Sequence, residues 1–67
     1  MKFEVILKVK DNQHDTFHQV GRIVVNPEHL KAQEDAYESR ARKMDVYNYV
    51  ILVNQLSDDG EFVTVIR

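Results

Sequence analysis

Two histidines four residues apart, His14 and His18, lie in the polar stretch Asp11-Asn12-Gln13-His14-Asp15-Thr16-Phe17-His18. Imidazoles and carboxylates at short range ligate zinc or nickel, so this is the first place to look for a metal. The spacing suits one face of a helix. This segment instead reads as a turn running into a strand, where the same two residues stand about 13 Å apart at 3.3 Å per residue. Two solvated histidines at a hairpin end is therefore the favoured reading. His29, in the first turn of a helix, is read as a surface residue. No metal site is expected.

A nucleophile would have to be Thr16, Ser39, Ser57 or Thr64, with a base beside it and a third group orienting the base. The spacing supports no such triad. Asp58 with Asp59, or Glu34 with Glu38, offer paired carboxylates, but no local apolar pocket is evident to raise either pKa. The only glycines, Gly21 and Gly60, lie far apart, so no glycine-rich loop can cradle a phosphate. With no cysteine, thiolate chemistry, disulfides and thiolate-bound metals are excluded. A chain of about 60 residues buries only about 60% of its unfolded surface, which leaves little room for a core and a catalytic cavity together. The expectation is a protein that is not an enzyme and uses no cofactor or small-molecule substrate.

The elements that must carry any surface are legible from periodicity. Residues Lys2 to Lys10, K-F-E-V-I-L-K-V-K, place Phe3, Val5, Leu7 and Val9 on one face and Lys2, Glu4, Ile6, Lys8 and Lys10 on the other, which is a half-buried strand. Asp11 to Asp15 reverses the chain. A second strand is expected over Thr16 to Val25, with Gly21 marking a bulge or a close approach of backbone. Asn26-Pro27-Glu28 starts a helix running from Pro27 to Met44, since Asn accepts from unpaired amides, Pro is preset for the first turn and Glu suits the dipole. Its apolar face holds Leu30, Tyr37, Ala41 and Met44, and Glu38 with Arg42 forms an i,i+4 pair on its wet side. Val46 to Val53 reads as a central strand, Ser57-Asp58-Asp59-Gly60 as a tight turn and Glu61 to Arg67 as a last strand. The expected fold is α+β, a two-layer sandwich of β-β-α-β-β order, with one helix packed on a four-stranded, mainly antiparallel sheet and residues 1–67 forming one domain.

A single helix covers one face of such a sheet, and an open face should alternate polar outward. The third and fourth strands are apolar on both parities: Tyr47, Tyr49, Ile51 and Val53 against Val46, Val50 and Leu52, then Phe62 and Ile66 against Val63 and Val65. One set lacks cover, and apolar patches of that size mark interfaces. The candidate interface is Ile6, Tyr47, Tyr49, Ile51, Val53, Val63 and Val65. The expected function is a small non-catalytic protein-interaction module, associating through an apolar sheet face as a homodimer or with a partner protein that it modulates.

The alternative is a weak single-stranded nucleic-acid binder that stacks bases on Tyr47 and Tyr49 and contacts phosphates through Lys2, Lys8 and Lys10. Nine Lys plus Arg against eleven Asp plus Glu give a formal charge of −2, which makes that the weaker reading. The acids Glu28, Glu34, Asp35, Glu38, Asp58, Asp59 and Glu61 are too diluted by Lys31, Arg40, Arg42 and Lys43 to imitate DNA. No run approaches the roughly 18 apolar residues that span a bilayer, and Met1-Lys2-Phe3-Glu4 enters alternation with no apolar signal core. No membrane contact and a cytoplasmic location are expected.

Overall fold

The computed structural model describes residues 1–12, 15–56 and 62–65, the last group by backbone alone. Its elements are β1 (Lys2–Lys10), β2 (His18–Val25), a 3-10 turn (Pro27–His29), α1 (Leu30–Lys43), β3 (Asn48–Leu56) and β4 (Phe62–Val65). The class is α+β, with one helix packed on one face of an antiparallel sheet. β1 is flanked by β2 and β3, and β4 pairs with β3 along Asn54–Leu56 through an irregular register. His14, the turn Ser57 to Gly60 and the expected strand ends Glu61, Ile66 and Arg67 lie outside the described residues.

Alternation in β1 does what its sequence requires. Val5, Leu7 and Val9 are fully buried, while Ile6, Lys8 and Lys10 between them are only half-buried. Opposite them in β3 stand Val53, Ile51 and Tyr49, so the odd parity of both strands faces the helix. Tyr37 and Ala41 are the buried residues of α1, and Leu30 and Met44 pack beside them at helical spacing. Burying each Val or Leu of this core contributes about 1.5–3 kcal/mol.

The helix begins differently from the sequence expectation. Asn26 makes no side-chain capping bond. Its backbone carbonyl instead accepts from the His29 N–H at 2.9 Å, which closes a 3-10 turn over Pro27–His29 before the α-helix proper begins at Leu30. At the other end the Met44 N–H reaches the Ala41 carbonyl at 3.1 Å, and Met44 is already extended.

β2 is shorter than expected, starting at His18, and it carries a bulge. Leu7 pairs with Gly21 but Lys8 pairs with Gln19, so Val20 is the extra residue. The bulge expected at Gly21 falls on its neighbour Val20, and Gly21 itself is closely approached by a side chain, since a Cβ there would stand 3.0 Å from the Tyr37 hydroxyl oxygen and 3.1 Å from its Cζ. β3 runs two to three residues later than the expected Val46 to Val53. Its nine residues match the nine of β1, from Lys10 opposite Asn48 to Lys2 opposite Leu56, so the length of β1 sets the limits of β3. Val46 still packs on the core, from the connection rather than from the strand.

Candidate functional site

The sheet face away from α1 is built by the even positions of β1 and β3 together with the matching positions of β2. Among the described residues, no helix or strand lies over it. Reading across the strands, Arg22, Ile6 and Leu52 form one row, and Val24, Glu4 and Asn54 form the next. Apolar side chains and charges therefore share the surface, with Ile6, Val50 and Leu52 half-buried and Val24 exposed.

Glu4 is the anchor of this face. Its carboxylate is buried although it belongs to the open side, because both oxygens are occupied. Asn54, directly opposite on β3, donates its side-chain amide to Oε1 at 3.0 Å, and Arg22, diagonally placed on β2, donates Nε to Oε2 in an ion pair. Burial pushes the carboxyl pKa up, while the Asn54 bond, the Arg22 bond and the Arg22 charge together outweigh it and hold the group below its ordinary value. Three strands are thus tied at one carboxylate.

Among the described residues, the positions of β1 and β2 on this face carry four cations, Lys2, Lys8, Lys10 and Arg22, and one carboxylate, that of Glu4. Counted over the described residues, this face bears net positive charge, although the whole chain carries a formal charge of −2. Helix acids are partly offset by their neighbours, with Lys31 Nζ 3.7 Å from Asp35 and Arg42 bonded to Glu38 at 2.6 Å, as the i,i+4 spacing foresaw.

The expected interface residues are divided between surfaces. Ile6 lies on the open face. Tyr49, Ile51 and Val53 lie on the helix side, where Val53 is buried and Tyr49 and Ile51 pack against the core. Tyr47 precedes β3 and is exposed, with its N–H bonded to the Lys10 carbonyl at 2.7 Å. Val65 pairs with Asn54, and Val63 lies in the same strand beside it. Because both parities of β3 are apolar, periodicity alone does not choose its inner face. Pairing with Val5, Leu7 and Val9 does, and it turns Val50 and Leu52 outward.

The same geometry separates the tyrosine pair. Tyr47 is outside the strand, and Tyr49 packs against the core on the helix side, near Arg42, whose guanidinium pKa is held further up by Tyr49 and by the Glu38 charge. The two rings therefore do not share one strand face with Lys2, Lys8 and Lys10.

Elsewhere, an open groove of about 320 Å³ runs along α1, lined by Asp35, Glu38, Ser39, Arg42 and Lys43. Its Glu38 and Arg42 are already paired with each other, and its lining contains no imidazole to activate Ser39. His18 Nε2 lies 3.8 Å from Asp11, and among the described residues no three His, Cys, Asp or Glu side chains are grouped to hold a metal. Among the described residues no helix is long and apolar enough to cross a membrane.

Sequence reasoning placed Glu4, Ile6 and the lysines on one face but missed the Glu4, Arg22 and Asn54 cluster. The only signal was a lone acid among the lysines of a wet strand face, since its partners are 18 and 50 residues away. The chain matches no family model, no curated protein and no solved structure.

Proposed function

We propose that this protein is a small non-catalytic protein-interaction module, built on a four-stranded β-β-α-β-β sheet, whose open face receives an acidic protein segment carrying apolar side chains. The observation that carries this reading is the composition of that face. Ile6, Val24, Val50 and Leu52 supply apolar contact, while Lys2, Lys8, Lys10 and Arg22 supply net positive charge around a carboxylate already satisfied internally. Apolar burial supplies affinity, and the cations select an acidic partner and steer its approach. Two copies meeting through these faces would oppose four cations to four, so the surface suits a partner of the other sign.

Single-stranded nucleic acid shares the negative charge but would need aromatic rings among the cations. Tyr47 and Tyr49 do not provide them, which leaves this as the weaker reading.

The test is a titration of isotopically labelled protein with two synthetic peptides, one alternating Glu and Leu and one alternating Gln and Leu, followed by amide shifts. The expected result is saturable shifts along the even positions of β1 and β3 with the Glu peptide, much weaker shifts with the Gln peptide, and loss of both in Ile6→Glu. Shifts confined to the helix, or equal binding of both peptides, would overturn the reading. So would tighter binding of a single-stranded oligonucleotide with a steep salt slope.

A further inference from the structure

Among the described residues, the strand order leaves β2 at the margin of the sheet, with β1 on one side only. Natural edge strands are blunted by lysines, prolines, inward charges or bulges, because an unpaired row of N–H and C=O groups is a template for another strand. β2, His-Gln-Val-Gly-Arg-Ile-Val-Val, carries none of the first two, and its bulge at Val20 disturbs only its first half. The second half, Arg22 to Val25, pairs in regular register with Phe3 to Ile6. Its one charge, Arg22, is engaged by Glu4. Ile23 and Val24, on opposite faces of this stretch, are each 39% exposed, which makes them two of the most exposed large apolar side chains among the described residues.

We infer that the Arg22 to Val25 edge pairs antiparallel with the same segment of a second copy, about a twofold axis through Ile23, joining two sheets into one. The choice of occupant and register follows from the residues. Directly opposed residues of an antiparallel pair share a face, so a register that pairs residues of equal parity keeps both helices on one side. Centring on Arg22 would oppose two guanidiniums. Centring on Val24 would bring Pro27, which has no N–H, opposite Gly21.

Centring on Ile23 sets Ile23 against Ile23 of the second copy and Arg22 against Val24 of the second copy, with no like charges opposed. The row across the seam then runs Asn54, Glu4, Val24, followed by Arg22, Ile6 and Leu52 of the second copy. The row carries one acid and one base, on opposite sides of the seam. The two basic open faces become one longer surface, and neither is covered by the contact.

Such a seam is short and belongs with weak, reversible associations. The experiment is sedimentation equilibrium over concentration, with circular dichroism confirming that each variant is folded. The wild-type mass should rise from the 7.9 kDa of one chain toward twice that value and stop there. Ile23→Lys, which opposes two ammonium groups, and Val24→Lys, which opposes Arg22, should each weaken the dimer at least about tenfold. Val24→Lys places its ammonium beside Glu4 of its own chain, so its fold is not put at risk. An equimolar mixture of Ile23→Lys and Ile23→Glu should recover association that neither shows alone, which only mutual opposition at position 23 produces.

A monomer at about 1 mM would overturn the inference at the upper end of weak association. Mass growing without limit would overturn the closed twofold seam. Folded lysine variants that still dimerise, or a mixture of folded position-23 variants that fails to associate, would overturn the register. Ile6→Glu, which lies outside the seam, should dimerise like the wild type, so a failed peptide titration and a failed dimer are read separately.

Discussion

Gly21→Ala tests a close approach between the helix and the sheet. A Cβ at Gly21 would lie 3.0 Å from the Tyr37 hydroxyl oxygen, 3.1 Å from Cζ and 3.2 Å from Cε1. Comfortable carbon contacts begin near 3.5 Å, so the Tyr37 ring must retreat by about 0.3 Å or more. That ring is buried in the core cluster with Val5, Leu7, Val9 and Ala41, and close-packed interiors yield by distorting rotamers. Overpacking of this kind costs about 1–3 kcal/mol. Against it stands the loss of backbone freedom in the unfolded chain, which favours alanine over glycine by about 0.4–1 kcal/mol. The clash wins, with a net destabilisation of about 1 kcal/mol and a midpoint about 4–8 °C lower for a domain of this length.

The assay is thermal and urea unfolding of a double-mutant cycle with Tyr37→Leu. In the leucine background the clash is gone and Gly21→Ala should turn stabilising by about 0.4–1 kcal/mol, giving a coupling energy of about 1.5 kcal/mol or more. Tyr37→Phe, which removes only the hydroxyl contact, should give partial relief. A raised midpoint for Gly21→Ala in the wild-type background would refute the reasoning, as would two additive single effects.

Other consequences are sharper in pH and in cavity volume. Glu4 has a folded pKa below its unfolded value, so its ion pair contributes stability that is fully present above the unfolded value and is lost as pH falls through the folded value. The stability difference between wild type and Glu4→Gln, measured by urea unfolding, should therefore favour wild type at neutral pH and shrink on acidification; a difference that grows in acid would contradict the network. Leu7→Ala, at a fully buried site, should cost about 2–5 kcal/mol, enough to unfold much of a population whose total stability is about 3–10 kcal/mol. Near-wild-type circular dichroism melts for that variant would show that the core is centred elsewhere.

What was legible in the sequence was periodic, and what was hidden was relational. The alternation of Val5, Leu7 and Val9 announced β1, and Leu30, Tyr37, Ala41 and Met44 announced the inner helix face, because in each case the repeat itself is the signal. The start of β3 was misread since Val46 and Tyr47 have strand-forming side chains, yet strand limits follow the partner, and pairing begins only at Asn48 opposite Lys10. Its inner face was ambiguous for the same reason, with Ile51 and Leu52 equally apolar. The Glu4 cluster draws one residue from each of three strands, so no local window contains it.

The central place of β1 has a consequence for the nascent chain. Its pairing with β2 is available once Val25 has been synthesised, but its other edge waits for Asn48 to Leu56. At roughly 5–20 residues per second the interval lasts about 2–6 s, during which the hairpin shows an unsatisfied inner edge to other nascent chains. Lys2, Lys8 and Lys10 stand along that edge, and ammonium groups are the means by which strands deter premature partners. The same charges that ring the finished surface guard the strand until β3 arrives.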